Sequence, residues 1–343
     1  MKRFLYKLFL VLFPVSLIVV LINVYIDPAN IFSEEKYYDG IVSIMKQKHN
    51  ISNITNYDER ILQKKVIEGL DSIPDLVVLG SSRVMEIGNN IYPGKFVINC
   101  GVSHANIYDL TAICGLLEKQ NKLPHSILFN LDPFTISVEK LNEWESISDG
   151  YFYMAKLLNE PEQENNYFKF LENKKLLSTL SFSYFKESIA SIIDHKNKKY
   201  YDAGCNKPYP NGRLYDGTIS YPDSYTKKDT LLVDAQAKEY AIKHFSGDID
   251  TKKLELLTKL VDYLLSKNVK LELIMIPFNP GFYHNTNIYH SNELIRYEKL
   301  YKTFAKEHKI NIIGSFNAEK YGLTNSKFYD AFHASGEAIK KIF

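Results

Sequence analysis

Val77–Ile87 reads VVLGSSRVMEI: a short apolar run, a glycine, two serines, then apolar side chains at helical spacing. A β-branched run that stops at a glycine has the pattern of a buried strand, and a strand leading into a helix is half of a βαβ unit. Working outward, Leu76–Leu79 (LVVL) has four companions: Phe96–Cys100 (FVINC), Ile127–Leu131 (ILFNL), Leu271–Ile276 (LELIMI) and Ile310–Ile313 (INII). Amphipathic stretches accompany them at Asp58–Leu70, Ile107–Lys119, Lys252–Leu265 and Asn292–Glu307. Short apolar runs alternating with helices predict an α/β fold, a doubly wound (flavodoxin-like) parallel sheet of five strands. Ligands of such sheets sit beyond the carboxyl ends of the strands, where Gly80-Ser81-Ser82, Gly101 and Asp132 fall.

The alternation is broken from about residue 139 to 247 by helical segments rich in Tyr, Lys and Asn and by a Gly/Pro-punctuated patch, Ala203–Pro222, with hairpin character. An insertion of that size is expected to cover or shape a site. At the other end, Leu8–Ile26 (LFLVLFPVSLIVVLINVYI) is nineteen residues without a charge. As a helix it spans roughly 28 Å, close to the hydrocarbon thickness of a bilayer. Lys2, Arg3 and Lys7 precede it and Asp27, Glu34 and Glu35 follow, so the positive-inside rule leaves the N-terminus cytoplasmic and the rest of the chain outside. A cleaved signal peptide is the alternative, but Val24-Tyr25-Ile26 is bulky where a small-residue cleavage site belongs. The expected organisation is a cytoplasmic tip and transmembrane anchor over 1–26, a juxtamembrane stalk over 27–57, and one domain over 58–343.

Composition narrows the function. Lys+Arg 42 against Asp+Glu 40 leaves a net charge of +2, so no basic field draws the chain to nucleic acid. Three cysteines, Cys100, Cys114 and Cys205, share no metal-ligand spacing, and no G-x-G-x-x-G or P-loop is present. No metal or cofactor is expected. His284 and His290 likewise lack the spacing of a metal pair.

Three segments carry chemistry. At Gly80-Ser81-Ser82 a serine on a strand-to-helix turn gains free backbone N–H groups that stabilise developing negative charge, and the glycine exposes its hydroxyl. The same pattern also suits a serine that only caps the helix. Asp330-Ala331-Phe332-His333 can set a carboxylate on imidazole Nδ1–H and leave Nε2 free as a base. Chance supplies roughly 0.5 such spacings in a chain of this composition, so its weight comes from position after the last strand. Asn99-Cys100-Gly101-Val102-Ser103 lets a backbone N–H approach a bound oxygen, or is a plain strand-ending turn. Arg83, directly after the serines, and His104 are candidate substrate-binding residues.

Taken together, these segments resemble the SGNH (GDSL-type) hydrolase superfamily, and within it the membrane-anchored DltD-like branch associated with polysaccharide O-acyl transfer. The resemblance makes Ser82 the nucleophile, His333 the base and Asp330 its orienting acid, with the Ser82 and Gly101 amides as oxyanion donors. It also exposes a departure. The family's third block ends in an asparagine whose amide donates to the oxyanion; here Asn130-Leu131-Asp132 puts Asp132 at that place, and Asn130 is the candidate substitute. The resemblance implies an extracytoplasmic serine acyltransferase or esterase acting on a cell-envelope polymer, by O-acetyl or D-alanyl transfer to a glycan or teichoic acid, with a membrane-bound O-acyltransferase as partner. The alternative is a catalytically inactive protein of the same fold, accessory to an envelope acyltransferase complex.

Overall fold

Strands buried on both faces need apolar residues at nearly every position; the runs at 76–79, 97–99 and 126–130 form such strands, while the edge strand Asn311–Gly314 is only partly buried. The computed structural model describes residues 2–28, 31–54, 57–139, 141–161, 167–193, 200–243 and 247–343. In chain order its strands are β1 (Asn50–Ser52), β2 (Leu76–Leu79), β3 (Val97–Asn99), β4 (Ser126–Asn130), β5 (Tyr201–Gly204), β6 (Gly212–Arg213), β7 (Ile219–Ser220), β8 (Lys270–Met275) and β9 (Asn311–Gly314). The main sheet has the order β3-β2-β4-β8-β9, and all four pairings are parallel. The order reverses between β2 and its neighbours β3 and β4, which sets a crevice at the carboxyl end of β2.

Alternate residues of each strand enter two different cores. Val77, Leu79, Ile127, Phe129, Leu271 and Leu273 join the larger one, covered by helices Glu59–Glu68, Ile107–Lys119, Thr251–Ser266 and Glu293–Glu307. Leu76, Val78, Leu128 and Ile274 face a thinner layer of short turns and the C-terminal helix Gly336–Lys340, which supply Leu323, Phe328, Ile339 and Ile342. Caps set the helix starts. Asp58 and Asp250 accept backbone N–H groups of the first turn, and Asn106 with Asp109 forms a full capping box.

Two expectations are corrected. Where the segment expected to be a polar stalk over 27–57 is described, it packs on the body: Glu34–Lys46 is a helix whose Tyr37, Tyr38, Ile41, Val42 and Met45 are buried in the larger core. β1 is one of the two inner strands of a second, antiparallel sheet of order β5-β1-β6-β7, so the insertion closes on a segment some 150 residues earlier. Nor does a long helix follow the serines. Ser82–Val84 is one 3-10 turn, because Gly88, Asn89, Asn90, Pro93 and Gly94 follow too soon for an α-helix to propagate.

Lys2–Ile26 is a single helix containing Pro14. Phe9, Leu10, Leu12, Phe13, Val15, Leu17, Ile18 and Leu21 are exposed along it. The side chains of Leu5, Leu8 and Val11 lie outside the described set, and among the described residues no helix is long and apolar enough to cross a membrane.

Candidate functional site

β2 delivers the serine turn. Gly80 has φ of +153°, and a Cβ there would stand 2.5 Å from the Asn130 Cβ, so only glycine lets β2 leave the sheet this close to β4. The turn that follows presents Ser82, partly exposed, with its Oγ 2.7 Å from His333 Nε2. The other imidazole nitrogen, Nδ1, lies 3.0 and 2.9 Å from the two Asp330 carboxylate oxygens. The structure thus brings together Ser82, His333 and Asp330 across 251 positions of sequence.

Asp330 builds its own loop. Its Oδ1 accepts the backbone N–H groups of Phe332 and His333, both at 2.8 Å, which folds the Asp-x-x-His segment into a tight turn. Burial pushes the Asp330 carboxyl up, but hydrogen bonds from His333, Tyr225 and the Phe332 N–H outweigh it and hold the group well below the usual carboxylate range. An ionised carboxylate only accepts, so Nδ1 carries the imidazole proton and Nε2 is free to take one from the serine hydroxyl.

Tyr225, in the insertion, is the site residue that sequence reasoning missed. Its hydroxyl donates to Asp330 Oδ2 at 2.6 Å and stands 2.9 Å from His333 Nδ1. Burial and then the Asp330 charge push its phenol far above the ordinary value, so it stays a donor. The only hint in the sequence is the tyrosine density of the insertion. We expect Tyr225→Phe to slow hydrolysis of an activated ester about tenfold, the value of one hydrogen bond to a charged group at about 1.4 kcal/mol. Steady-state kinetics checks this, with circular dichroism unchanged.

Arg83 and Asp132 make a second, fully interior constellation beneath the first. Asp132 is wholly buried and accepts from the Ser81 hydroxyl, from Arg83 Nη1, and from Asn130 Nδ2 at 2.6 Å. Arg83 directs each guanidinium nitrogen inward: Nη1 to Asp132, Nη2 to the Ile276 carbonyl at the end of β8, Nε to the Phe332 carbonyl at 3.1 Å. Its flat face lies 3.6 Å from the centroid of the Phe278 ring. Burial pulls the Arg83 pKa down and the Asp132 charge opposes the fall. One arginine therefore pins the serine turn, the β4 exit, the β8 exit and the histidine turn to each other.

That arrangement corrects several expectations. Arg83 does not face outward as a substrate-binding residue would, because it is buried and each of its three guanidinium nitrogens bonds an interior acceptor. Asp132 is not an oxyanion donor; it is the acceptor at the centre of a structural pair. Gly101 is not free to donate either, since its N–H goes to Asn99 Oδ1 at 2.8 Å. His104 is exposed, with φ of +54°, and among the described residues no hydrogen bond joins it to Ser82 or His333. Ser81, by contrast, does cap the turn, its Oγ accepting from the Arg83 N–H while donating to Asp132.

Two donors, one in the serine turn and one on the neighbouring β4, keep an N–H for a ligand. Among the described residues the Ser82 N–H meets no acceptor. The Asn130 amide, 3.3 Å from where a Gly80 Cβ would stand, has given one N–H to Asp132 and keeps the other.

Glu86, four residues beyond Ser82, is a further carboxylate at this rim. Burial raises it to about 7, although the Tyr329 hydroxyl at 3.3 Å and His333 pull it down. A carboxyl whose folded pKa is raised stays protonated where the unfolded chain has ionised, so stability falls as pH rises from about 4.5 through 7. Glu86→Gln is therefore expected to melt at the wild-type temperature near pH 4.5 and at a higher one at pH 8, as thermal scans will read.

No family model matches the chain, and no curated protein matches it.

Proposed function

We propose that this chain is a serine acyltransferase or esterase of the SGNH type. The observation that carries the reading is the 2.7 Å approach of Ser82 Oγ to His333 Nε2, with Nδ1 of the same ring on Asp330. In the proposed reaction Ser82 attacks an ester carbonyl while His333 takes its proton. The oxyanion meets the Ser82 N–H and the remaining N–H of Asn130. Collapse of the tetrahedral intermediate breaks the bond to the leaving alcohol, which receives the proton from His333. Water or an acceptor hydroxyl then attacks the acyl-serine by the same route in reverse. The order of the blocks, serine turn first, Asn99–Ser103 next and Asp-x-x-His last, supports placing the chain in the SGNH superfamily beside its membrane-anchored branch.

The uncharged run Leu8–Ile26, helical within Lys2–Ile26, supports an anchor with the catalytic body on the exoplasmic side. A body tethered there favours a cell-envelope polymer as substrate, with a membrane-bound O-acyltransferase as the source of acyl groups. A second reading is favoured by a specific observation. The Gly101 N–H is occupied and Asp132 cannot donate, which leaves a lean oxyanion hole and suits an accessory protein that binds acylated polymer.

A fluorophosphonate probe separates the two. The enzyme reading expects one covalent adduct per chain, on Ser82, visible by intact-mass spectrometry and absent from His333→Ala. A folded wild-type protein that stays unlabelled overturns it in favour of the binder.

A further inference from the structure

Among the described residues the helices Tyr167–Leu180 and Phe182–Ile193 supply no residue to the site, and their joint presents a leucine and phenylalanine tip flanked by exposed Glu172, Asn173, Lys186 and Glu187, with Lys186 Nζ 5.3 Å from the Phe182 ring centroid. Leu176–Phe185 (LLSTLSFSYF) carries no charge. Leu176, Leu177, Leu180 and Phe182 are 64, 71, 63 and 62 % exposed, and Ile193 at the far end is 69 % exposed. Contiguous apolar surface of this kind marks a contact with another apolar body.

What that body is follows from the neighbouring helix. Both members of the pair pack on Lys2–Ile26, whose own apolar side chains face outward, so the two surfaces are continuous. The joint is polar and part-buried. Asn23, the one amide in the uncharged run, is fully buried, with Nδ2 3.1 Å from each of the Ser178, Thr179 and Ser181 carbonyl oxygens. Ser178 and Thr179 belong to the last turn of the first helix, where carbonyls have no intrahelical partner. Ser188 Oγ donates to Asn23 Oδ1 at 3.4 Å, and the Tyr184 hydroxyl donates to Asp27 Oδ1 at 2.7 Å. At a water-facing hairpin such carbonyls would be solvated. Shared between the two N–H groups of the Asn23 amide and the backbone N–H groups of Ser181 and Phe185, under a tip of leucine and phenylalanine, they follow the rule for backbone in hydrocarbon.

We infer that the 167–193 hairpin is a membrane-inserting wedge, its Leu176–Phe182 tip seated in the acyl chains of the leaflet beside the anchor. The inference rests on the anchored reading above and adds a second lipid contact to it. One helix alone leaves the body free to swivel about its axis; a wedge hydrogen-bonded to that helix at Asn23 and Asp27 gives the body one orientation, and Ser82 one height, relative to the surface.

Trp144 is the only tryptophan and is buried in the body, so new indoles report cleanly above its constant background. Leu177→Trp and Leu17→Trp are each made in the full-length chain, reconstituted into phosphatidylcholine–phosphatidylglycerol vesicles with or without brominated acyl chains. Both sites are exposed, so both variants keep the fold. The expected result is that brominated lipid removes more than half of the added fluorescence at both positions and leaves that of Trp144 unchanged. Quenching at 17 without quenching at 177 overturns the wedge and leaves the anchor standing, the hairpin then being covered by a second copy or another protein. Quenching at neither position overturns both.

Discussion

Ser82→Ala loses between about 10⁴- and 10⁶-fold in kcat on an activated ester, and His333→Ala loses as much. The two losses do not add. The double variant is expected to sit within threefold of either single one, because hydroxyl and imidazole act as one unit across their 2.7 Å contact. Neither change should cost much stability. Ser82 and His333 are both partly exposed, and no core contact depends on the serine hydroxyl, so thermal melts should shift by no more than the equivalent of about 1 kcal/mol. Turnover by pure Ser82→Ala within tenfold of wild type would remove the nucleophile assignment, and with it the proposed chemistry.

The largest stability effect belongs to Asp132→Asn. The substitution is nearly isosteric, yet it strips the ion-paired carboxylate from a guanidinium whose side chain is 2 % exposed. Breaking a buried pair on one side leaves an uncompensated charge and costs about 3–5 kcal/mol. The melting temperature should drop by roughly 5–10 °C. Activity should fall with it, since Arg83 no longer holds the serine turn against the Phe332 carbonyl. Replacing both partners, as in Arg83→Met with Asp132→Leu, removes the charge altogether and is expected to regain most of the stability. Activity should not return, because the four pinned loops have lost their common tie. A double variant as active as wild type would show that the pair serves the fold alone.

Much of this architecture could be read from the chain because its elements are local and strongly patterned. LVVL at 76–79 and ILFNL at 127–131 are apolar at nearly every position, and burial on both sheet faces demands that. Ile107–Lys119 carries an Asn-x-x-Asp capping box at its start and an apolar stripe, and the helix has the expected bounds. Residues 34–52 escaped because their helix mixes buried tyrosines with charges, and because β1 is three residues long and owes its existence to partners at 201–213. Tyr225 escaped for the same kind of reason: its worth lies in one hydroxyl meeting a carboxylate 105 positions away. Arg83 reads in the sequence as a substrate-binding candidate, because an arginine beside a serine turn ordinarily reaches the rim. Burial became tolerable only through Asp132, two carbonyls and a phenylalanine ring, all contributed from elsewhere in the chain.

Periodicity and local turn chemistry, which act over a handful of residues, were enough to determine the parallel α/β sheet, the uncharged N-terminal helix and the serine and histidine turns. Only the tertiary structure decided which polar groups are already paired and which are left to react. A donor's availability depends on whether a distant acceptor has already claimed it, and no spacing along the chain records that. Gly101, Asp132 and Arg83 were claimed by Asn99, by one another and by carbonyls from other loops. The Ser82 hydroxyl meets His333, and the Ser82 amide remains open.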